Sequence, residues 1–153
     1  MSPKPYTPTQ ERLLSMNLKI MTVANNGVYR LTGGRIGGRM GKAPICLLTT
    51  TGRKSGQSRT VPLLYLENGN DIVVVASQGG MSTNPAWYLN LVDNPQVTIQ
   101  IGKTITKMVA RTATPEEKPA LWERLATMYK GYNNYQARTE REIPVVICSP
   151  VTD

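Results

Sequence analysis

Three apolar, strand-like runs follow one another between Ala43 and Ser77: APICLLTTT (43–51), SRTVPLLYLE (58–67) and DIVVVAS (71–77). The segments between them, six and three residues long, have no room for a crossover helix. Strands joined this closely pair antiparallel, because a parallel crossover needs a dozen residues or more. A doubly wound parallel sheet is therefore set aside in favour of a hairpin-built one. Pro62 offers no N–H to a ladder and places the second run at an edge or a bulge. Asn68 and Gly69 suit the tight turn before the third.

The same pattern returns later. VTIQI (97–101) and TITKMVART (104–112) flank Gly102 and Lys103 as another hairpin, and IPVVICS (143–149) reads as a last strand. Helical periods lie in front and between. Leu13, Met16, Ile20 and Val23 share one stripe, widened by Leu14, Met21 and Ala24. With Thr9 as N-cap and Asn25, Asn26 and Gly27 as a stop, they predict an amphipathic leader helix over 9–25 behind a disordered lead, 1–8. Packing on its own domain and lying on a membrane surface are both open to that stripe. A short helical turn, NGVYRLT, then leads to a mobile basic loop with five glycines in 33–41 and Arg35, Arg39 and Lys42.

Asn84 and Pro85 read as N-cap and first residue of a short helix carrying Trp87 and Tyr88. Thr114, Pro115 and Glu117 form a capping box for a helix towards Tyr129, with Pro119 in its first turns, and YNNYQARTERE is a further helical stretch. About six mostly antiparallel strands, with an N-terminal helix and peripheral helices, give a mainly β barrel. At 153 residues it forms a single domain, 1–153.

The chain contains no histidine, which excludes Ser-His-Asp and Cys-His nucleophiles and leaves no recognisable zinc-ligand spacing. No metal site is expected. Cys46 and Cys148 lie in apolar runs and read as buried thiols. The phosphate-loop and dinucleotide-binding glycine patterns are absent as well. Catalysis on this chain would be the chemistry of a bound cofactor.

Charge says what such a cofactor carries. Residues 1–59 hold ten Lys or Arg against Glu11 alone, a net of +9, while the remainder nets −1. Nucleic acid, an anionic membrane face and a ligand bearing phosphate and carboxylates all suit that field. Its centre is TTTGRKSGQSR (49–59), where Arg53, Lys54 and Arg59 accompany the hydroxyls of Thr51 and Ser55 and the glycines Gly52 and Gly56. Such a turn is anion-binding equipment or an ordinary solvated hairpin. Late in the chain Trp122, Tyr129, Tyr132 and Tyr135 either cover the barrel or form a flat wall over a planar substrate.

Three blocks in order, LLTTTGRKSGQSRTVPLLYL, VVVASQGGMSTNPAWYLNLVDNPQVTIQ and TMYKGYNNYQARTEREIPVVIC, resemble the deazaflavin-dependent nitroreductase family of mycobacteria and other actinobacteria. The resemblance implies a split β-barrel of the FMN-binding-like kind. It also implies coenzyme F420, an 8-hydroxy-5-deazaflavin with a phosphate-linked oligoglutamate tail that donates hydride when reduced. Quinones, activated alkenes or nitroaromatics are the acceptors to expect, as small apolar or planar electrophiles.

Residue by residue, it implies that Arg53, Lys54, Ser55, Gln57 and Arg59 hold the tail. Val75, Ala76, Ser77 and Gln78 line the ring, Pro62 is a further cofactor contact, and Asn84, Pro85, Trp87, Tyr88 and Asn90 complete the pocket. Ser77, Tyr129, Tyr132 and Tyr135 stand on the substrate side. The chain departs from the best-known nitroreductase in carrying Gln78 where that enzyme has lysine. A monomeric cytoplasmic enzyme, with peripheral contact at the inner face of an anionic membrane and no nucleic acid, is the expected setting. A flavin-binding barrel and a non-catalytic nucleic-acid barrel are the alternatives.

Overall fold

The computed structural model describes residues 3–151, with the side chains of 18–21 outside the description. Thr7 starts helix α1 (Pro8–Thr32) through a capping box. The Gln10 N–H donates to Thr7 Oγ1 at 3.3 Å and the Thr7 N–H to Gln10 Oε1 at 2.9 Å, with Pro8 at the helix start. The helix does not stop at Asn25–Gly27 as the sequence suggested; it continues to Gly33, which caps it in the left-handed region at φ 60°. Gly27 in a helix costs about 1 kcal/mol. Tertiary bonds just beyond it offset that: Asn26 Nδ2 donates to Thr60 O at 2.8 Å, Arg30 Nη2 to Thr60 Oγ1 at 3.1 Å, and Tyr29 is 1% exposed.

The sheet has eight strands where the sequence suggested six: β1 (Arg39–Met40), β2 (Ala43–Thr51), β3 (Ser58–Leu64), β4 (Leu66–Asn68), β5 (Asp71–Val75), β6 (Gln96–Ile101), β7 (Thr104–Thr112) and β8 (Val145–Pro150). The expected mobile basic loop supplies β1, which pairs with the start of β2. The run 58–67 breaks at Tyr65, whose N–H donates to Pro44 O at 3.1 Å, so that β3 pairs with β2 and β4 with β5. All pairings are antiparallel, in the order β1-β2-β6-β7-β8-β5-β4, with β3 on the other side of β2. The chain itself joins β3 to β4, and this curls the sheet into the split barrel expected. Pro62 lies opposite Leu47 in β3, which pairs with β2 alone, the edge position its missing N–H requires.

Side chains alternate between two cores. Inside the barrel are Leu48, Val74, Ala76, Ile99, Met108, Val146 and the thiols of Cys46 and Cys148. Both cysteines are free and buried; burial raises the Cys46 pKa and pushes Cys148 up to about 12. On the outer face of β5 and β8, Val73, Val75, Val145 and Ile147 pack against Leu121, Leu125 and Tyr132 of α3 (Lys118–Met128) and α4 (Gly131–Arg138). Burial on both faces accounts for the unbroken apolar runs of β5 and β8.

Two helix starts shift from the sequence reading. Thr114 and Glu117 make both bonds of the box, at 2.9 and 3.3 Å, around a turn, and α3 proper begins at Lys118. Pro119 is then in a first turn, where its missing N–H leaves no bond unmade. Helix α2 (Ala86–Asp93) has Pro85 as its cap, and Asn84 spends its side chain elsewhere.

The stripe named for the leader faces outward: Leu13 is 57% exposed, Met16 55% and Val23 76%, while Ile20 and Met21 lie outside the described side chains. Glu11, Leu14, Ser15, Asn26 and Tyr29 face the protein instead. Polar bonds decide this orientation, for Glu11 accepts from the Ser82 N–H (2.6 Å) and hydroxyl (2.9 Å), and Ser15 Oγ contacts Met81 Sδ at 3.7 Å. Residues 3–7 continue over α4, where Tyr6 lies against the Arg138 guanidinium at 4.2 Å.

Candidate functional site

The basic turn between β2 and β3 is closed by its own backbone: the Gly52 N–H donates to Gln57 O at 2.7 Å and the Gly56 N–H to Gly52 O at 2.8 Å. Gly56 sits at φ 71°, and a Cβ on Gly52 would stand 2.7 Å from Ser55 Oγ, so neither position takes a side chain easily. Ser55 Oγ accepts from the Gln57 N–H at 3.2 Å. Arg53, Lys54 and Arg59 are exposed, and among the described residues the one ion pair is Arg111–Glu117, elsewhere on the surface. The amides of Lys54 and Ser55 donate to no acceptor among the described residues. This is a fixed loop with three cations outside any ion pair among the described residues, Arg53 Nη1 making only a long 3.5 Å contact to Asn90 Oδ1, and with two free N–H groups, which matches the donors that a phosphate and carboxylates require.

Asn90 of α2 holds the loop in place. It is 4% exposed; its Oδ1 accepts from the Arg53 N–H at 3.1 Å, and its Nδ2 donates to Thr50 Oγ1 at 3.2 Å. Trp87, 7% exposed, packs into the barrel core edge-to-face with Tyr88, whose hydroxyl meets Thr112 Oγ1 at 2.9 Å. Pro85 is buried next to them.

The second group of residues follows β5. Val75 faces the tyrosine side and Ala76 the barrel side, so the two cores meet where Ser77, 8% exposed, leaves the strand. Gln78, Gly79 and Gly80 then take positive φ values of 44°, 64° and 81° in succession. Gln78 is the one non-glycine residue in that region among those described, and its Nε2 reaches Met81 Sδ at 3.2 Å. A Cβ on Gly80 would lie 2.6 Å from Tyr135 O, so α4 approaches as closely as glycine allows.

The tyrosines form one cluster. Ring centroids are 5.0 Å apart for Tyr129–Tyr132, 5.9 Å for Tyr129–Tyr135 and 6.3 Å for Tyr132–Tyr135, and the Tyr129 and Tyr135 hydroxyls share a hydrogen bond at 2.7 Å. Burial, reinforced by the neighbouring phenols, raises the pKa of Tyr132 and of Tyr135. They remain neutral donors at ordinary pH. Trp122 is tilted against Tyr132 at 6.1 Å and donates Nε1–H to Asn133 Oδ1 at 2.8 Å.

Helix α1 is strung between the two walls, tied to β3 at Thr60 and to the following turn at Met81 and Ser82. Open clefts of about 510 and 430 Å³ lie elsewhere, the first beside Leu31, Arg35, Ile36 and Lys103, the second on the outer sheet face at Thr49, Thr98 and Gln100. Neither is lined by an expected site residue. Sequence reasoning missed Arg141, whose side chain enters the turn after β5; flanked by Glu140 and Glu142, it carries no local signal that sets it apart.

Among the described residues no cluster of metal-ligating side chains exists. Fixed cations, a wall of glycine backbone and neutral phenols orient and polarise but carry no electrons. A split barrel so equipped is a cofactor-dependent oxidoreductase. The chain belongs to the F420H(2)-dependent quinone reductase family, whose model matches residues 22–150. It is 41% identical over 127 residues to an F420H(2)-dependent quinone reductase of Mycobacterium tuberculosis, covering 80% of this chain and 85% of that one. A solved F420-H2 dependent reductase, FDR-A, superposes at a TM-score of 0.65 with 41% identity over 69% of this chain and 94% of its own. A structure described as a domain-swapped dimer superposes at 0.67, with 37% identity over 83% of this chain and 96% of that chain.

Proposed function

We propose that this protein reduces quinones, activated alkenes or nitroaromatics at the expense of reduced coenzyme F420, with the basic turn gripping the cofactor's acidic tail. The observation that carries this reading is the turn itself, whose three exposed cations have no acidic partner among the described residues while its backbone is closed and anchored. The deazaflavin, when bound, supplies the hydride. Arg53, Lys54 and Arg59 neutralise the tail, with Ser55 and Gln57 beside them. Val75 to Gln78 and Pro62 wall the ring; Asn84, Pro85, Trp87 and Tyr88 shape the pocket, and Asn90 holds the turn that grips.

Ser77 and the phenols of Tyr129, Tyr132 and Tyr135 act on the acceptor. A neutral phenol donating to a carbonyl or nitro oxygen stabilises the charge that arrives there with the hydride, and it surrenders no proton beforehand because burial keeps it protonated. The rings exclude water from an apolar, planar substrate. A monomer is proposed as the working unit.

No helix among the described residues is long and apolar enough to cross a membrane. The outward Leu13, Met16 and Val23 beside Arg12 suit peripheral contact with an anionic lipid face, where apolar quinones reside. The setting proposed is the cytoplasmic side of that face.

The test is a fluorescence titration of oxidised deazaflavin, followed by menaquinone, enone and nitroaromatic acceptors with the reduced form. Saturable binding that the Arg53→Glu, Lys54→Glu double variant weakens strongly is expected. Equal binding by that variant would end the assignment of the turn.

A further inference from the structure

The guanidinium of Arg141, between α4 and β8, donates four hydrogen bonds into a single turn. Nε reaches Met81 O at 2.9 Å, Nη1 reaches Asn84 Oδ1 at 2.8 Å and Ala76 O at 3.3 Å, and Nη2 reaches Ser77 O at 2.7 Å. Every acceptor is neutral, and no ion pair within reach of the described residues competes for this charge. The side chain is half-buried, and keeping a desolvated cation without a carboxylate is costly unless its donors are met.

The segment that carries Arg141 is held in turn by α4. Gln136 Nε2 donates to Arg141 O at 2.9 Å, and Gln136 Oε1 accepts from the Ile143 N–H at 3.0 Å. Gln136 follows Tyr135, whose backbone presses on Gly80. The turn itself has little to hold it in shape: three successive residues at positive φ include one, Gln78, that pays a steric penalty to be there. Within residues 77–82 its main-chain bonds are Gly80 N–H to Ser77 O at 2.9 Å and Met81 N–H to Gln78 O at 3.1 Å.

We infer that Arg141 is a positioning residue: its guanidinium fork fixes the Ser77–Asn84 turn against the tyrosine helix, so that the ring wall and the phenols keep one relative geometry. Its functional consequence rests on the reading of Ser77 and Gln78 as the cofactor wall. Lysine cannot replace the fork, since one ammonium cannot reach acceptors spread over Ala76, Met81 and Asn84 at once.

The experiment uses the full chain with Arg141→Lys and Arg141→Ala. Amide hydrogen exchange is followed in the ligand-free protein over residues 77–84, with β6 and β7 as internal reference. Deazaflavin affinity is measured by fluorescence with and without millimolar guanidinium. Exchange over 77–84 is expected to rise about tenfold or more in both variants while β6 and β7 are unchanged, as charge-assisted bonds of this number predict. Affinity should fall by a similar factor, and guanidinium should restore protection and affinity to Arg141→Ala but not to Arg141→Lys. Unchanged protection of 77–84 overturns the inference. So does loss spread equally over β6 and β7, or an affinity loss that guanidinium leaves unrepaired while the turn stays protected. If the unaltered protein fails to bind deazaflavin, the cofactor reading falls, and the exchange data on the ligand-free protein still decide the role of Arg141 in the turn.

Discussion

Asn90→Leu separates the shape of the basic turn from its charge. It keeps nearly the volume of the side chain and every cation, and removes the acceptor for the Arg53 N–H at 3.1 Å and, more weakly, for Arg53 Nη1 at 3.5 Å, together with the donor to Thr50 Oγ1 at 3.2 Å. Water reaches the freed Arg53 amide, a loss of about 1 kcal/mol; the Thr50 hydroxyl, 2% exposed, is left without its donor at about 1–3 kcal/mol. The sum, about 2–4 kcal/mol, lies within the usual margin of a domain, so the variant folds and can be titrated. Re-ordering one or two residues of the released turn on binding costs about 2 kcal/mol, which is roughly 30-fold in deazaflavin affinity. Thr50→Ala is the control, because it breaks the bond behind Asn90 and leaves the one to Arg53: stability should drop by about 1–3 kcal/mol, the cost of the buried Asn90 Nδ2 left unpaired, with affinity nearly kept. Fluorescence titrations over a salt series, with urea melts beside them, read both quantities. Since no charge changes, the salt slope of Asn90→Leu should parallel that of the unaltered protein and only the offset should differ. Full affinity in Asn90→Leu, or an equal loss in Thr50→Ala, would refute the reasoning.

Tyr132→Phe should lower turnover roughly 5- to 100-fold, the worth of about 1–3 kcal/mol in one donated hydrogen bond, with deazaflavin affinity unchanged; identical kinetics across several acceptors would remove the phenol from the mechanism. Alkali should destabilise the fold before it affects the active site. Cys148 is raised from 9.0 to about 12 and Cys46 is raised as well, so their contribution is fully present below the unfolded pKa and is lost as pH climbs above it. Each thiol then contributes a loss of about 1.4 kcal/mol per pH unit; denaturation midpoints that stay level from pH 8 to 10.5 would contradict this. Replacing Leu13, Met16 and Val23 together by Gln should cut co-sedimentation with anionic vesicles roughly 100-fold, at about 1 kcal/mol for each half-exposed side chain, and spare turnover of a soluble enone. Unchanged sedimentation would leave the outer face of α1 without a lipid role.

Much of the barrel was legible because its signals are local. Short connections dictated antiparallel pairing, Pro62 marked an edge or a bulge, and the continuous apolar runs 71–77 and 143–149 marked the strands that became β5 and β8. What escaped depended on distant partners. Nothing near Tyr65 announces that its N–H turns to Pro44 and breaks the run into β3 and β4. Nothing in Asn25-Asn26-Gly27 shows that Asn26 will find Thr60, which carries α1 past a sequence that would otherwise end it. The apolar stripe of α1 misled for the same reason: Glu11 and Ser15 had partners on the turn after β5, and those bonds turned Leu13 and Met16 outward. In the site, the family resemblance named the walls and, with them, Asn90, but not its part in holding the basic turn; Arg141, whose partners lie about 60 residues away, was not named at all.

The charge asymmetry also divides once the geometry is known. Of the ten cations before residue 60, three stand in the basic turn. Arg30 is spent tying α1 to Thr60, and Arg35 lines an open cleft with Lys103. Cations away from the turn still add to the field that draws a polyanionic tail from beyond contact range, over about a Debye length. Those in the turn, under the proposed function, would act after arrival, because a closed loop anchored by Asn90 presents them without reorganisation. On the proposed reading the two sets would govern different rates: remote cations the salt-dependent encounter, and Arg53, Lys54 and Arg59 the residence time of the bound cofactor. A net charge of +9 over residues 1–59 states only that an anion is attracted; on the proposed reading the six-residue loop, fixed at both ends of the Asn90 amide, would decide which part of the protein keeps it.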